Sequence, residues 1–457
     1  MPPLRPASAA DPAEARAFLD ARPETAWIEV FVTDLCGVAR GKRLRRHELA
    51  ALYRGGRPLP GSLLGLDITG RDVEEAGLLW ETGDADLLCW PLPGRLQPKP
   101  WGGPDQAQVL GSLHGRDGGP ADGDPRQVLA RVLERFRPLG LTPVVAVELE
   151  FYLFEAASAA AGRPQPPGGL PEDPQPCHLA DLDCLEPFLA DLYAGAEAMG
   201  LPLGALLSEA GPGQLEAVLL HRDDALRAAD EAVLYKRLVK GTARRHGLVA
   251  SFMAKPYAEL PGNGMHLHLS LADAAGRNAF AFDGAAPPPL LLQALGGLKA
   301  CMPASVALLA PNANSYRRFA LRSYAPASAD WGLDNRSLAL RVTAGPAESR
   351  HIEHRLAGAD ANPYLGLAAL LAGALHGIGT ELDPGPPVEG DGYRLAAGRP
   401  LPNDWAAALR ALRADEVLAG FLGARSLEIF LAIKQTERER FEAVPTERDL
   451  AWYLRDA

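Results

Sequence analysis

The sequence predicts an α+β protein in which a small, β-rich N-terminal part precedes a larger part that mixes strands and helices. Three observations predict it. A run of β-branched and aromatic residues, Trp27-Ile-Glu-Val-Phe-Val32, is followed by a turn and a second extended segment. Residues 115–125 (GRDGGPADGDP) are dense in Gly, Pro and Asp. Beyond them, strands of period-two character alternate with segments of helical spacing.

In chain order, Asp11 to Ala21 reads as a short helix with Pro12 at its first position. The strand from Trp27 comes next. Asp34-Leu-Cys-Gly37 is turn-like, and residues 38–44 (VARGKRL) resume an extended segment, so a hairpin is expected. Residues 115–125 mark the boundary between a domain over 1–115 and one over 116–457. Val128, Leu129, Val132, Leu133 and Phe136 then follow helical spacing, with Asp124 as cap and Pro125 at the first position. Residues 156–176, rich in Ala, Pro and Gly, read as a surface insertion. Helices are expected over 185–200, 223–247 and 290–309, the last interrupted by Gly296, Gly297 and Pro303. The longest apolar run, Tyr364 to Gly379, is too short to span a bilayer comfortably and reads as a buried helix. No internal repeat is visible.

The 457 residues suffice for two or three domains, and 47% hydrophobic with 23% charged residues is ordinary for a soluble globular chain. A net charge of −11 repels phosphate backbones, which argues against nucleic acid as a partner. Five cysteines without a CxxC pair fit a reduced, cytoplasmic chain. The first ten residues show no apolar signal region, and no membrane association is expected.

Four segments carry chemistry. In Val144-Val-Ala-Val-Glu-Leu-Glu-Phe-Tyr-Leu153, strand geometry puts Glu148 and Glu150 on one face. Two like charges on a buried face repel and lose hydration, and a divalent cation removes both costs. Taken alone, the pair also fits a solvent-exposed strand end. In Ser208-Glu-Ala-Gly-Pro-Gly-Gln-Leu-Glu216, a Gly-Pro-Gly turn can fold Glu209 and Glu216 toward one point, or form an ordinary surface loop. Pro261-Gly-Asn-Gly-Met-His-Leu-His-Leu-Ser270 is a Gly-rich turn leading into a strand with His266 and His268 on one face. In Arg350-His-Ile-Glu-His-Arg355, His351, Glu353 and Arg355 share a face, as an ion-pair network or as a metal ligand beside a phosphate site. A site of five carboxylates and an imidazole suits Mg²⁺ or Mn²⁺ rather than Zn²⁺.

Arg317, Arg318, Arg322, Arg336 and Arg341 cluster within a short stretch of an otherwise acidic chain. Guanidinium forks suit carboxylate and phosphate. Arg336 and Arg341 are five apart, so a bulge or strand end must intervene if both serve one site. Gly41-Lys42 is followed by Arg43 and lacks the glycine spacing of a phosphate-binding P-loop.

The order ExE, E-x-GPGQ-x-E, GNGMHLH, NSYRR, NRS and E-x-R followed by ANPY resembles the glutamine synthetase superfamily. The resemblance runs from Asp34 to at least Tyr364. It implies an N-terminal β-grasp domain before a catalytic domain with a curved antiparallel sheet flanked by helices. It implies ATP, Mg²⁺ or Mn²⁺, and a homo-oligomer of stacked hexameric rings with active sites between subunits. Glu150, Glu209 and Glu216 would hold one metal, and Glu148, His266 and Glu353 the second. His268 and Ser270 would lie beside the nucleotide, and Gly262 would contact the amino acid. Arg318, Arg336 and Arg355 would bind substrate carboxylate or the transferred phosphate, and Arg341 the ATP phosphates.

Departures from the pattern refine the expectation. Ammonia-using members carry a Glu in a GYEAP-like flap, where this chain has Tyr324. Pro261 replaces an Asn, and His351 stands where an Arg often precedes Ile-Glu. Residues 331–336 (WGLDNR), Asp34-Leu-Cys-Gly37 with Arg40-Gly-Lys42, and Leu66-Asp-Ile-Thr-Gly70 are more similar to the γ-glutamylpolyamine and γ-glutamylamide synthetases. The expected function is ATP-dependent joining of glutamate to a primary amine, with Asp67 near the amine. A true glutamine synthetase, or a catalytically silent homologue kept for assembly or regulation, are the alternatives.

Overall fold

The computed structural model describes residues 3–170, 174–284, 286–319, 323–395, 400–455 and 457. Arg322, one of the clustered arginines, lies outside the described residues.

The N-terminal part holds β1 (Trp27–Thr33), β2 (Ala39–Arg45), β3 (Arg57–Pro60), β4 (Asp86–Pro98) and β5 (Gln106–His114). They form one sheet in the order β2-β1-β5-β4-β3, antiparallel except for the parallel β1–β5 pair. The expected hairpin is β1–β2, closed by the Asp34–Gly37 turn. The expected first helix is Pro12–Ala21, capped by the Asp11 side chain. It and the helix Leu49–Gly55 bury Ala15, Leu49, Leu52 and Tyr53 against this sheet.

The second sheet holds β6 (Thr142–Glu155), β7 (Leu203–Ser208), β8 (Gln214–Arg222), β9 (Leu248–Ser251), β10 (Met265–Ala272), β11 (Trp331–Leu333), β12 (Leu340–Val342) and β13 (Ile352–His354). Its order is β11-β12-β13-β10-β6-β8-β7, with β9 pairing β6. All pairs are antiparallel except β11–β12. Along β6, Val145, Val147, Leu149, Phe151 and Leu153 enter the main core, so the alternate residues Glu148 and Glu150 face away from it.

Helices pack on the apolar side. The expected helix after residue 124 is Pro125–Leu133, capped by Asp124; Phe136 lies just beyond its end and is still buried. Pro289–Leu309 runs unbroken through the glycines and Pro303 that were expected to interrupt it. The glycines serve close packing instead. A Cβ on Gly297 would stand 2.1 Å from the Gly373 carbonyl and 2.3 Å from the Gly377 nitrogen, so this helix and Pro363–Gly379 touch through their backbones. The latter is the expected buried helix, capped by Asn362. All five cysteines are free thiols.

Candidate active site

Strand register builds the site. In the ladders His266 lies opposite Glu148, His268 opposite Glu353, Glu353 opposite Arg341, and Glu150 opposite Glu216. Period two then turns these side chains to one side of the sheet. Segments far apart in sequence thus meet in two groups, Glu148–His266–Glu353 and Glu150–Glu216–His266. Within each, the potential ligand atoms all lie within 4.8 Å of one another. His266 belongs to both and sits between them.

The contacts are short. His266 Nδ1 is 2.6 Å from Glu148 Oε1 and 3.6 Å from Glu353 Oε1. His268 Nε2 lies 3.4 Å from Glu148 Oε2. Arg341 Nη1 donates to Glu353 Oε2 at 2.7 Å, and Arg355 donates to the other Glu353 oxygen. Glu150 accepts from the Gly264 amide at 2.9 Å and from Gln214 Nε2 at 3.3 Å. Glu209 is held where the β7–β8 turn begins, its amide donating to the Gln214 carbonyl at 2.9 Å.

Proton affinities follow from this crowding. Burial opposes ionisation of Glu353, but His266, Arg355, His268 and Arg341 outweigh it and hold its carboxyl at about 2. Burial also opposes ionisation of Glu148, and His266 and His268 hold it well below the usual range. Glu209 rises to about 7 through burial and the nearby Glu150. Glu216 rises to about 10 through burial and the charges of Glu148, Glu150 and Glu209. The Glu148–Glu353 side is paired with imidazole and guanidinium groups, whereas the Glu209–Glu216 side retains protons because burial disfavours its charge and the neighbouring carboxylates add to that cost.

The remaining expected residues distribute as follows. Arg318 is buried and donates to the Leu356 carbonyl at 3.0 Å, and a Cβ on Gly262 would press against its stem. The Gly262 carbonyl accepts from Gln214 at 3.0 Å. Ser270 follows His268 on the same strand face, half-buried. Arg336 is not drawn into this network. It is exposed, precedes β12 and forms no ion pair among the described residues. The feature separating it from Arg341 is the strand end at Leu340 rather than a bulge.

Three residues here were not singled out from the sequence. Gly264 lies at the centre of the site: a Cβ there would stand 3.0 Å from His266 Nε2, 3.1 Å from Glu150 Oε1 and 3.4 Å from Arg318 Nη2. Its place in the Gly-Asn-Gly-Met run was the available signal. Gln214 joins Glu150, Gly262 and Asn263 from the Gly-Pro-Gly-Gln turn. Asp334 grips Arg341 through Nε at 3.0 Å and Nη2 at 2.5 Å from a left-handed backbone, a placement no period-two reading reveals.

The sequence model of the glutamine synthetase catalytic domain matches residues 122–453. The chain belongs to the glutamine synthetase family. Its relatives in this family are ATP-dependent ligases that form C–N bonds, and this chain is an enzyme of that class. It is 40% identical over 449 residues to γ-glutamylputrescine synthetase of Escherichia coli strain K12, covering 97% of this chain and 95% of that one. It is 36% identical over 364 residues to γ-glutamylethanolamide synthetase of Streptomyces coelicolor, covering 79% and 78%. A solved structure described as a GmaS/ADP complex superposes with a TM-score of 0.84 at 30% identity, covering 96% of this chain and 98% of that one. The fold is thus the mixed α+β architecture of the glutamine synthetase family.

Proposed function

We propose that this enzyme makes a γ-glutamyl amide, using ATP to convert the γ-carboxylate of glutamate to an acyl phosphate that a primary amine attacks. The observation that carries the reading is the convergence of Glu148, Glu150, Glu216, His266 and Glu353 beside Arg341 and Arg355. Carboxylates facing guanidinium groups are what phosphoryl transfer needs on either side of a polyphosphate.

Glu150, Glu209 and Glu216 would hold one Mg²⁺ or Mn²⁺, and Glu148, His266 and Glu353 the other. The donor set fits hard cations, being oxygen with a single imidazole. The protons retained on Glu209 and Glu216 support the fit, since they mark negative charge that the protein alone leaves uncompensated. Bound there, the two cations supply charge neutralisation for the phosphates. Arg341, fixed between Asp334 and Glu353, would meet the ATP phosphates. His268 and Ser270 would border the nucleotide. Arg318, Arg336 and Arg355 would receive substrate carboxylate or transferred phosphate, with Gly262 against the amino acid.

Use of an amine rather than ammonia is supported by Tyr324, which stands in the flap where ammonia-using members carry a Glu. Tyr324 is 67% exposed with a left-handed backbone. A phenol cannot concentrate and deprotonate ammonium as a carboxylate does. The similarity to γ-glutamylputrescine synthetase favours a polyamine-like acceptor. Residues 1–115 would form a β-grasp domain and 116–457 the catalytic domain, in stacked hexameric rings. The test is turnover with glutamate, ATP, Mg²⁺ and a panel of amines. Turnover with ammonia and with no larger amine refutes the proposal.

A further inference from the structure

Away from the carboxylate cluster, a cavity of about 610 Å³ opens between the β1–β2 hairpin and the C-terminal half of the helix Ala225–Arg245. Among the described residues, Arg43, Lys99, Lys236, Arg237, Lys240 and Arg244 line it, against two carboxylates, Glu29 and Asp360. The imbalance is local, since the whole chain carries a net charge of −11.

Both carboxylates already accept hydrogen bonds from other groups, Asp360 through Oδ2. Glu29 accepts from Arg43 and Lys99 at 2.7 Å and from Arg237 at 3.0 Å. Asp360 accepts from Asn312 at 2.7 Å and Ser315 at 2.6 Å. Lys240 and Arg244 form no ion pair among the described residues. Among the described residues, Lys236 donates only to the backbone carbonyls of Ala359 and Ala361, at 2.6 and 3.4 Å. Lys236 and Lys240 both sit over the Phe252 ring, at 5.1 and 5.7 Å from its centre. Burial and the neighbouring Lys240 lower the Lys236 ammonium to about 7, outweighing the opposing charge of Asp360.

We propose that this cleft is a second ligand site, separate from the catalytic cluster, for a compact polyanion bearing carboxylate or phosphate groups. Its volume suits a small metabolite. Its converging ammonium and guanidinium groups supply charge-assisted donors for several oxygens at once. The cleft wall also meets the catalytic residues. Asn263 donates to the Met253 carbonyl in the wall at 2.8 Å and accepts at 3.1 Å from Gln214, the residue that also holds Glu150. An anion seated here therefore lies against a wall whose position is shared with one of the proposed metal-binding carboxylates.

The test is calorimetric titration of the full-length, EDTA-treated protein with citrate and, separately, with inorganic pyrophosphate at low ionic strength. Saturable binding of one anion per chain is expected. The double variant Lys240→Ala/Arg244→Ala should weaken it about tenfold or more, whereas Arg341→Ala in the catalytic cluster should leave it within about twofold. Both residues of the double variant are exposed, so its fold and its kcat and KM without added anion should be unchanged. Binding of citrate alone assigns the site to carboxylates, and of pyrophosphate alone to phosphates. Absence of saturable binding by either anion overturns the proposal. So does binding that Arg341→Ala abolishes and the double variant retains.

Discussion

Replacing Glu353 by Gln keeps the side-chain shape but removes the charge on which two arginines and an imidazole converge. Glu353 is almost wholly buried, its side chain 3% exposed, so solvent does little to screen the loss. Burial works against its ionisation, yet His266, Arg355, His268 and Arg341 draw its carboxyl from 4.5 to about 2. That depression is equivalent to about 3 kcal/mol favouring the charged form. Removing one partner of a buried ion pair costs a similar amount, about 3–5 kcal/mol. Because the folded-state value is depressed, the stabilisation is complete above 4.5 and disappears as pH falls through about 2. Urea unfolding of the metal-free protein at pH 5 should therefore show wild type about 3 kcal/mol more stable than Glu353→Gln. A gap below about 0.5 kcal/mol, as for an exposed surface pair, would refute the network as drawn. The same substitution should abolish glutamate-dependent phosphate release.

Gly264→Ala places a methyl carbon 3.0 Å from His266 Nε2 and 3.1 Å from Glu150 Oε1, so circular dichroism should be unchanged while Mn²⁺ affinity, read by electron paramagnetic resonance, drops about 10–100-fold. Metal binding should release protons, because at pH 7 Glu216 is protonated and Glu209 is near its midpoint. Affinity should accordingly rise about tenfold per pH unit for each proton displaced; calorimetry in buffers of different ionisation enthalpy measures this, and pH-independent affinity contradicts it. Asp334→Ala leaves Arg341 paired only with Glu353 and should raise the KM for ATP more than that for glutamate in steady-state assays. Tyr324→Glu should improve ammonia use relative to amines about fivefold, the worth of one exposed charge contact of about 1 kcal/mol, in paired kcat/KM measurements.

The sequence by itself determined the elements and the kinds of chemistry on them. Alternation along residues 144–153 put Glu148 and Glu150 on one face, and Asp124 with Pro125 marked a helix start, because both are local consequences of backbone geometry. Family motifs named the candidate ligands. Only the tertiary structure decided which strands lie side by side, and hence that His266 faces Glu148 and that Arg341 faces Glu353. Such pairings join residues far apart in the chain and depend on sheet order, which no local period encodes. The same holds for Gly297, a helix breaker by propensity that becomes a contact surface once another helix lies against it. It holds too for the cationic cleft, whose members come from a strand, the segment after another strand and a helix, and converge only in the folded chain.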